Sequence, residues 1–193
     1  MVTFLKVLLA FFLIHKTSSL QRYSLCDLGT ALKPDGSTWT SGQKYYSGEH
    51  TISANCSIMS TIYIRGTLKI TGIADSNGAK PAIDGGWDGN GWSNTGVRLF
   101  YVENGNGLTI ENIILTNGEV GASNHGGGFY INGGSISLSN SVVSGNTAHY
   151  GGGFYIKGGS ISLSNCVVSD NRSNFGGGFN IPGGSIRIKD KGV

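Results

Sequence analysis

Charge is scarce in this chain. Only 13% of the 193 residues are Asp, Glu, Lys or Arg, and no cluster of Lys and Arg tracks a phosphate backbone, so nucleic-acid binding lacks its electrostatic footprint. An Asp-Asp pair occurs nowhere. Cysteine is limited to Cys26, Cys56 and Cys166, and their spacing fits no metal-ligand pattern. Apolar runs of the ~20 residues needed to span a bilayer are also missing. The one marked apolar run, Val7 to Ile14, follows Lys6 and precedes Thr17, Ser18 and Ser19. That pattern is a secretory signal peptide over residues 1–19, and after its removal no transmembrane segment is expected. Loss of Lys6 and Lys16 with it lowers the formal charge from +3 to about +1.

What is present is a tandem duplication. Gly126 to Tyr150 reads GGGFYINGGSISLSNSVVSGNTAHY, and Gly151 to Phe175 reads GGGFYIKGGSISLSNCVVSDNRSNF; eighteen of those 25 positions are identical. A third copy begins at Gly176 as GGGFNIPGGSIRIKD. A fixed period of this length means one supersecondary unit stacked on copies of itself, because a single unit cannot bury its apolar face alone. Within one copy, Phe129 and Ile131 alternate with Tyr130, Ile136 and Leu138 alternate with Ser135, Ser137 and Ser139, and Val142-Val143 forms a third segment. Period-two alternation predicts three short strands per copy. The fold expected is all-β, a right-handed parallel β-helix of about 25 residues per coil, its strands stacked about 4.8 Å apart.

The remaining residues take places in that plan. The glycine triplets at Gly126 to Gly128 and their copies fall where the chain bends and the next coil lies close. Asn140 with Asn165, and Asn146 with Asn171, recur on the same period and are read as stacked amide ladders. Upstream, Leu108 to Asn112 aligns with Ile136 to Asn140 at an offset of 28 residues, Leu99 to Val102 supplies a strand, and Thr61 to Ile70 supplies two more. The domain reading is a signal peptide over 1–19, an N-terminal leader or cap over 20–50, and a parallel β-helix over 51–193 that is cut short at its C-terminus. A last coil without a cap exposes strand edges and predicts end-to-end self-association.

Cys26 lies in the leader and Cys56 near the first strand-like segment, so a disulfide between them would tie leader to body. Cys166 replaces Ser141 of the preceding copy and is read as a small side chain at a tolerant position. Sequons stand at Asn55 and Asn171; Asn171 is also a ladder position, so Asn55 is the expected glycosylation site. Asp84, Asp88 and Asn90 lie close enough for oxygen ligation of calcium, but in no recognised order, and are read as a turn. His125 and His149 are placed in solvated turns.

The segment from Val143 to Tyr155, VSGNTAHYGGGFY, resembles the repeats of bacterial polymorphic outer membrane proteins, with Asn146 and Asn171 at the Asn of their F-x-x-N motif. There Val143 and Val168 stand where Phe is usual, and Gly153 and Gly178 replace an Ala. From about Thr51 onward the chain resembles the pectin-lyase-like superfamily of right-handed parallel β-helices. That resemblance implies a fold far more than an activity, since the superfamily includes polysaccharide lyases, glycosidases, epimerases, adhesins and many proteins of unknown role. Enzymes of the superfamily place paired carboxylates across a glycosidic bond. Here only Arg187-Ile188-Lys189 and Asn124-His125-Gly126 echo their motifs, so no catalytic residues, cofactor or metal are assigned. The function expected is a secreted, non-catalytic β-helix for cell-surface, wall or matrix interaction, with polysaccharide or cell-surface glycan as partner and Tyr130, Tyr155, Tyr150 and Phe175 as contacts. Stacked aromatics also stabilise coils without any ligand, and a polysaccharide lyase, glycosidase or epimerase, or a degenerate fragment of one, is the alternative.

Overall fold

A computed structural model describes residues 44–90 and 95–189. The signal peptide, most of the leader and Cys26 lie outside the described residues. The described residues form an all-β structure without helices, its strands paired in parallel sheets.

The chain runs in successive passes. The first gives β1 (Lys44–Ile52) and β2 (Cys56–Ser57), the second β3 (Ile62–Gly72) and β4 (Ala82–Asp84). The third gives β5 (Phe100–Glu103), β6 (Gly107–Glu111) and β7 (Ile114–Thr116). The two full copies follow as β8 (Phe129–Ser139), β9 (Val142–Ser144) and β10 (Thr147–Tyr150), then β11 (Phe154–Ser164), β12 (Val167–Ser169) and β13 (Arg172–Phe175). The third copy contributes β14 (Phe179–Asn180) and β15 (Ser185–Lys189).

Each pass lays a strand on the one before. The largest sheet has eight strands, in the order β1-β3-β5-β8-β11-β14, with β6 and β15 alongside. Strands β5 and β6 lie end to end against the two halves of β3, Ile62–Tyr63 and Thr67–Thr71, and again against β8. A second sheet of five strands runs β12-β9-β7-β4-β2, and a third pairs β10 with β13. The register repeats the sequence period: Ile136 pairs with Ile161 and Ile161 with Ile186, while Leu138 pairs with Leu163 and Leu163 with Ile188.

Three boundaries differ from the sequence reading. Phe129–Ile131 and Ile136–Leu138, expected as separate strands, are one strand, β8, with an irregular register near Asn132 and Gly158. Asn146 to Tyr150, expected as a turn, holds β10, because polar side chains hid a segment that pairs through its backbone. Strand β1 starts at Lys44, ahead of Thr51.

Alternate residues of β3, β5, β6, β8 and β11 meet in one core. Phe100, Phe129 and Phe154 are fully buried, as are Leu68, Ile110, Leu115 and Val143, each worth about 1.5–3 kcal/mol of burial. Corners use residues that tolerate a left-handed backbone. Asn112, Asn140 and Asn165 recur there with φ of 59°, 49° and 52°, a conformation that asparagine adopts more readily than most residues. At Gly127 an added Cβ would sit 2.4 Å from the Thr147 carbonyl oxygen, so the close approach of two passes requires glycine.

Candidate functional site

The triplets Ile62-Tyr63-Ile64, Phe100-Tyr101-Val102, Phe129-Tyr130-Ile131 and Phe154-Tyr155-Ile156 share one register. Because side chains alternate across a strand, each tyrosine faces outward while its neighbours face the core. Inside, Phe100, Phe129, Phe154 and Phe179 stack with centroids 5.3, 4.7 and 5.0 Å apart. Outside, Tyr63, Tyr101, Tyr130 and Tyr155 form a second ladder at 5.2, 4.9 and 5.3 Å, with interplanar angles of 39°, 4° and 21°. These separations lie in the favourable range for aromatic pairs.

Beside the tyrosines runs a shorter stack. His125 lies on Tyr150 at 5.0 Å and 12°, and Tyr150 lies on Phe175 at 4.9 Å and 15°. His125 also touches Tyr155, at 4.3 Å and 60°, so it joins the two stacks. His149 meets Tyr150 and Phe175 edge-on, and its Nδ1 lies 3.1 Å from the Asn174 side-chain nitrogen. The expectation that both histidines are solvated in turns is corrected here: His149 belongs to β10, and His125 pairs with Tyr150 through a parallel bridge. Burial lowers the His125 pKa from 6.5, and the charges of Arg98, His149 and Lys157 act in the same direction.

Arg98 anchors this face. Its Nε donates to the Gly126 carbonyl at 3.0 Å and its Nη2 to the His125 carbonyl at 2.8 Å. The guanidinium lies 5.6 Å from the Tyr101 centroid and 5.2 Å from that of Tyr130, in cation–π range. Burial draws its pKa down, opposed by the neighbouring tyrosines Tyr63, Tyr101 and Tyr130.

The four expected contact residues, Tyr130, Tyr155, Tyr150 and Phe175, therefore lie together on one face. Within the stacks, ring faces cover one another, so Tyr130 and Tyr150 offer solvent their edges and hydroxyls. Phe175 ends its stack among the described residues and is 52% exposed. Asn180 follows Tyr155 in register and turns its amide to the Phe175 carbonyl at 3.3 Å. The sequence reading missed Tyr63, Tyr101, Arg98 and the role of His125. The repeated aromatic or aliphatic–Tyr–aliphatic triplet marked the two tyrosines; nothing local marked Arg98, whose partners are 27 and 28 residues away.

The other outward surface of the large sheet is a groove of about 550 Å³ lined by hydroxyl residues, among them Thr67, Ser135, Ser160 and Ser162, with Arg187 and Lys189 at one end. Neither a carboxylate nor an imidazole lines it. His125, of the Asn124-His125-Gly126 segment, is engaged in the aromatic stack instead.

The remaining candidates serve the turns. Asp84 Oδ1 accepts from the Gly86 amide at 2.7 Å and its Oδ2 from the Asn117 side chain at 3.1 Å; Asp88 Oδ1 accepts from the Asn90 amide at 2.9 Å. No group of three or more His, Cys, Asp or Glu is placed to hold a metal among the described residues. Asn55 is exposed, its Oδ1 accepting from the Ala82 amide at 3.0 Å. Asn171 is held in its ladder, accepting from Asn146 and donating Nδ2 to the Val143 carbonyl at 2.9 Å. Cys56 is buried and disulfide-bonded, and Cys166 is a half-buried free thiol.

No protein-family model matches the chain, and comparison with curated proteins and with solved structures gives no match.

Proposed function

We propose that this chain is a secreted, non-catalytic right-handed parallel β-helix, three strands to a coil, that binds glycans of a cell surface, wall or matrix. The observation that carries the reading is the single aromatic face on which Tyr130, Tyr155, Tyr150 and Phe175 lie, with His125 joining the two stacks. His149 meets Tyr150 and Phe175 edge-on and its ring nitrogen lies beside the Asn174 side chain, so hydrogen-bonding groups border the rings. Ring edges and phenolic hydroxyls beside hydrogen-bonding groups suit a sugar, which presents both C–H bonds and hydroxyls.

Support for the architecture comes from the parallel register and the 25-residue repeat of the last copies, which fit the pectin-lyase-like plan. A disulfide at Cys56 suits the oxidising compartment that the signal segment implies.

The experiment is a glycan array with the secreted chain, followed by incubation with pectate, polygalacturonate and alginate. Binding without change in polymer length is expected. Release of reducing ends or unsaturated products would instead establish the enzyme alternative, and failure to bind any glycan would remove the proposal.

A further inference from the structure

The outer tyrosine ladder is more regular than glycan contact requires. Tyr63, Tyr101, Tyr130 and Tyr155 stand on adjacent parallel strands with centroids 4.9–5.3 Å apart, and Tyr45 of β1 occupies the same backbone register. All four rings of the described ladder are half-buried, so each keeps part of its phenol at the surface. Strand spacing, not chance collision, sets these separations. Reacting groups held as neighbours behave as if present at very high concentration, so a reaction between rungs outruns the same reaction between molecules.

We propose that this ladder is an oxidative modification site, at which neighbouring rungs couple to dityrosine. The oxidant is hydrogen peroxide acting through a heme peroxidase. Two phenols each give up one electron and one proton, and the two tyrosyl radicals join ring carbon to ring carbon beside the hydroxyls. The hydrogen displaced from each joined carbon moves to the phenolic oxygen and restores both rings. Overall the protein loses two hydrogen atoms per bond while one peroxide becomes two waters. The bond forms within one chain and staples β3 to β5, β5 to β8, or β8 to β11. The centroid distances already match the scale of a coupled pair, so the rings swing and the strands stay in place. This inference is independent of glycan binding.

The test compares the full chain with the double variant Tyr63→Phe/Tyr130→Phe at high dilution. Phenylalanine keeps both stacks while leaving only alternate rungs, at positions 45, 101 and 155, with hydroxyls. After peroxide and peroxidase, the unsubstituted chain is expected to show dityrosine fluorescence in the monomer fraction, a mass lower by two hydrogens per bond, and cross-linked peptides joining in-register tyrosines. The double variant, with an unchanged circular dichroism spectrum, is expected to lose this intramolecular product. Cross-links found only between chains, mapped outside the register, or formed equally in the double variant would overturn the proposal. If the double variant does not fold, the single variant Tyr130→Phe decides: of the described ladder it retains only the Tyr63–Tyr101 pair, so a cross-link between Tyr155 and another rung must vanish, and any such survivor overturns the proposal.

Discussion

Asn146 donates its side-chain amide to Asn171 Oδ1 at 2.9 Å, joining two passes of the chain through equivalent residues. The same amide donates to the carbonyls of Leu115 and Ser144, and its Oδ1 accepts from the Gly118 amide at 2.8 Å. Asn146 is fully buried, so its loss leaves polar backbone groups without water. Each such group costs about 1–3 kcal/mol. Asn146→Ala is expected to destabilise the fold by about 2–4 kcal/mol in urea unfolding. The corner residue Asn140, half-buried with φ 49°, is expected to cost less, about 1–2 kcal/mol as Asn140→Ala, from backbone strain.

Leu163 is 2% exposed between Leu138 and Ile188, whereas Ser162 on the same strand lines the outer groove. Leu163→Ala is expected to cost about 2–5 kcal/mol. Ser162→Ala should change stability by less than about 0.5 kcal/mol. Equal effects of the two in thermal or urea melts would show that the inward and outward faces are exchanged.

His125 predicts a pH dependence. The unfolded imidazole takes up its proton near 6.5 and the folded one at lower pH, because burial and the cations Arg98, His149 and Lys157 oppose its charge. Between those values the unfolded chain holds more protons. Stability from this group is therefore complete above about pH 6.5 and declines as the pH falls through the unfolded value. Melting curves from about pH 7.5 to about 5.5 should show the decline, and His125→Phe, which keeps a ring in the stack, should reduce it.

The covalent expectations concern Cys26, Cys56 and the sequons. Non-reducing peptide mapping of the secreted chain is expected to link Cys26 to Cys56 and leave Cys166 free. In a eukaryotic host, glycan occupancy should be found at Asn55 and not at Asn171, whose amide nitrogen is already committed to the Val143 carbonyl. A thiol found free at Cys56, or a glycan at Asn171, would contradict these assignments.

The strand pattern was legible where apolar and polar residues alternate, as in Ile136 to Leu138, since one buried face imposes a period of two. It was illegible over Thr147–Tyr150, where β10 offers one small apolar residue, Ala148, and is recognised by its pairing with β13 and its bridges to Glu119 and His125. Tyr130 and Tyr155 were legible as a stripe because they repeat at the tandem period. Arg98 was not, since its binding to the carbonyls of His125 and Gly126 depends on a contact across passes. Whether a repeated tyrosine shows its face or its edge to solvent likewise depends on the tilt of its neighbours, as the 39° and 4° angles of adjacent rungs illustrate.

Function rests most directly on the aromatic face that Tyr130, Tyr155, Tyr150 and Phe175 share. Isothermal titration of the oligosaccharide bound most tightly on the array, against the unsubstituted chain, Phe175→Ala and Ser162→Ala, separates the aromatic face from the hydroxyl groove. Loss of one aromatic contact of about 1.4 kcal/mol corresponds to about tenfold in affinity. The account predicts at least that weakening for Phe175→Ala, none for Ser162→Ala, and an intact oligosaccharide at the end of the titration. Unchanged affinity for Phe175→Ala, or a cleaved ligand, would contradict it.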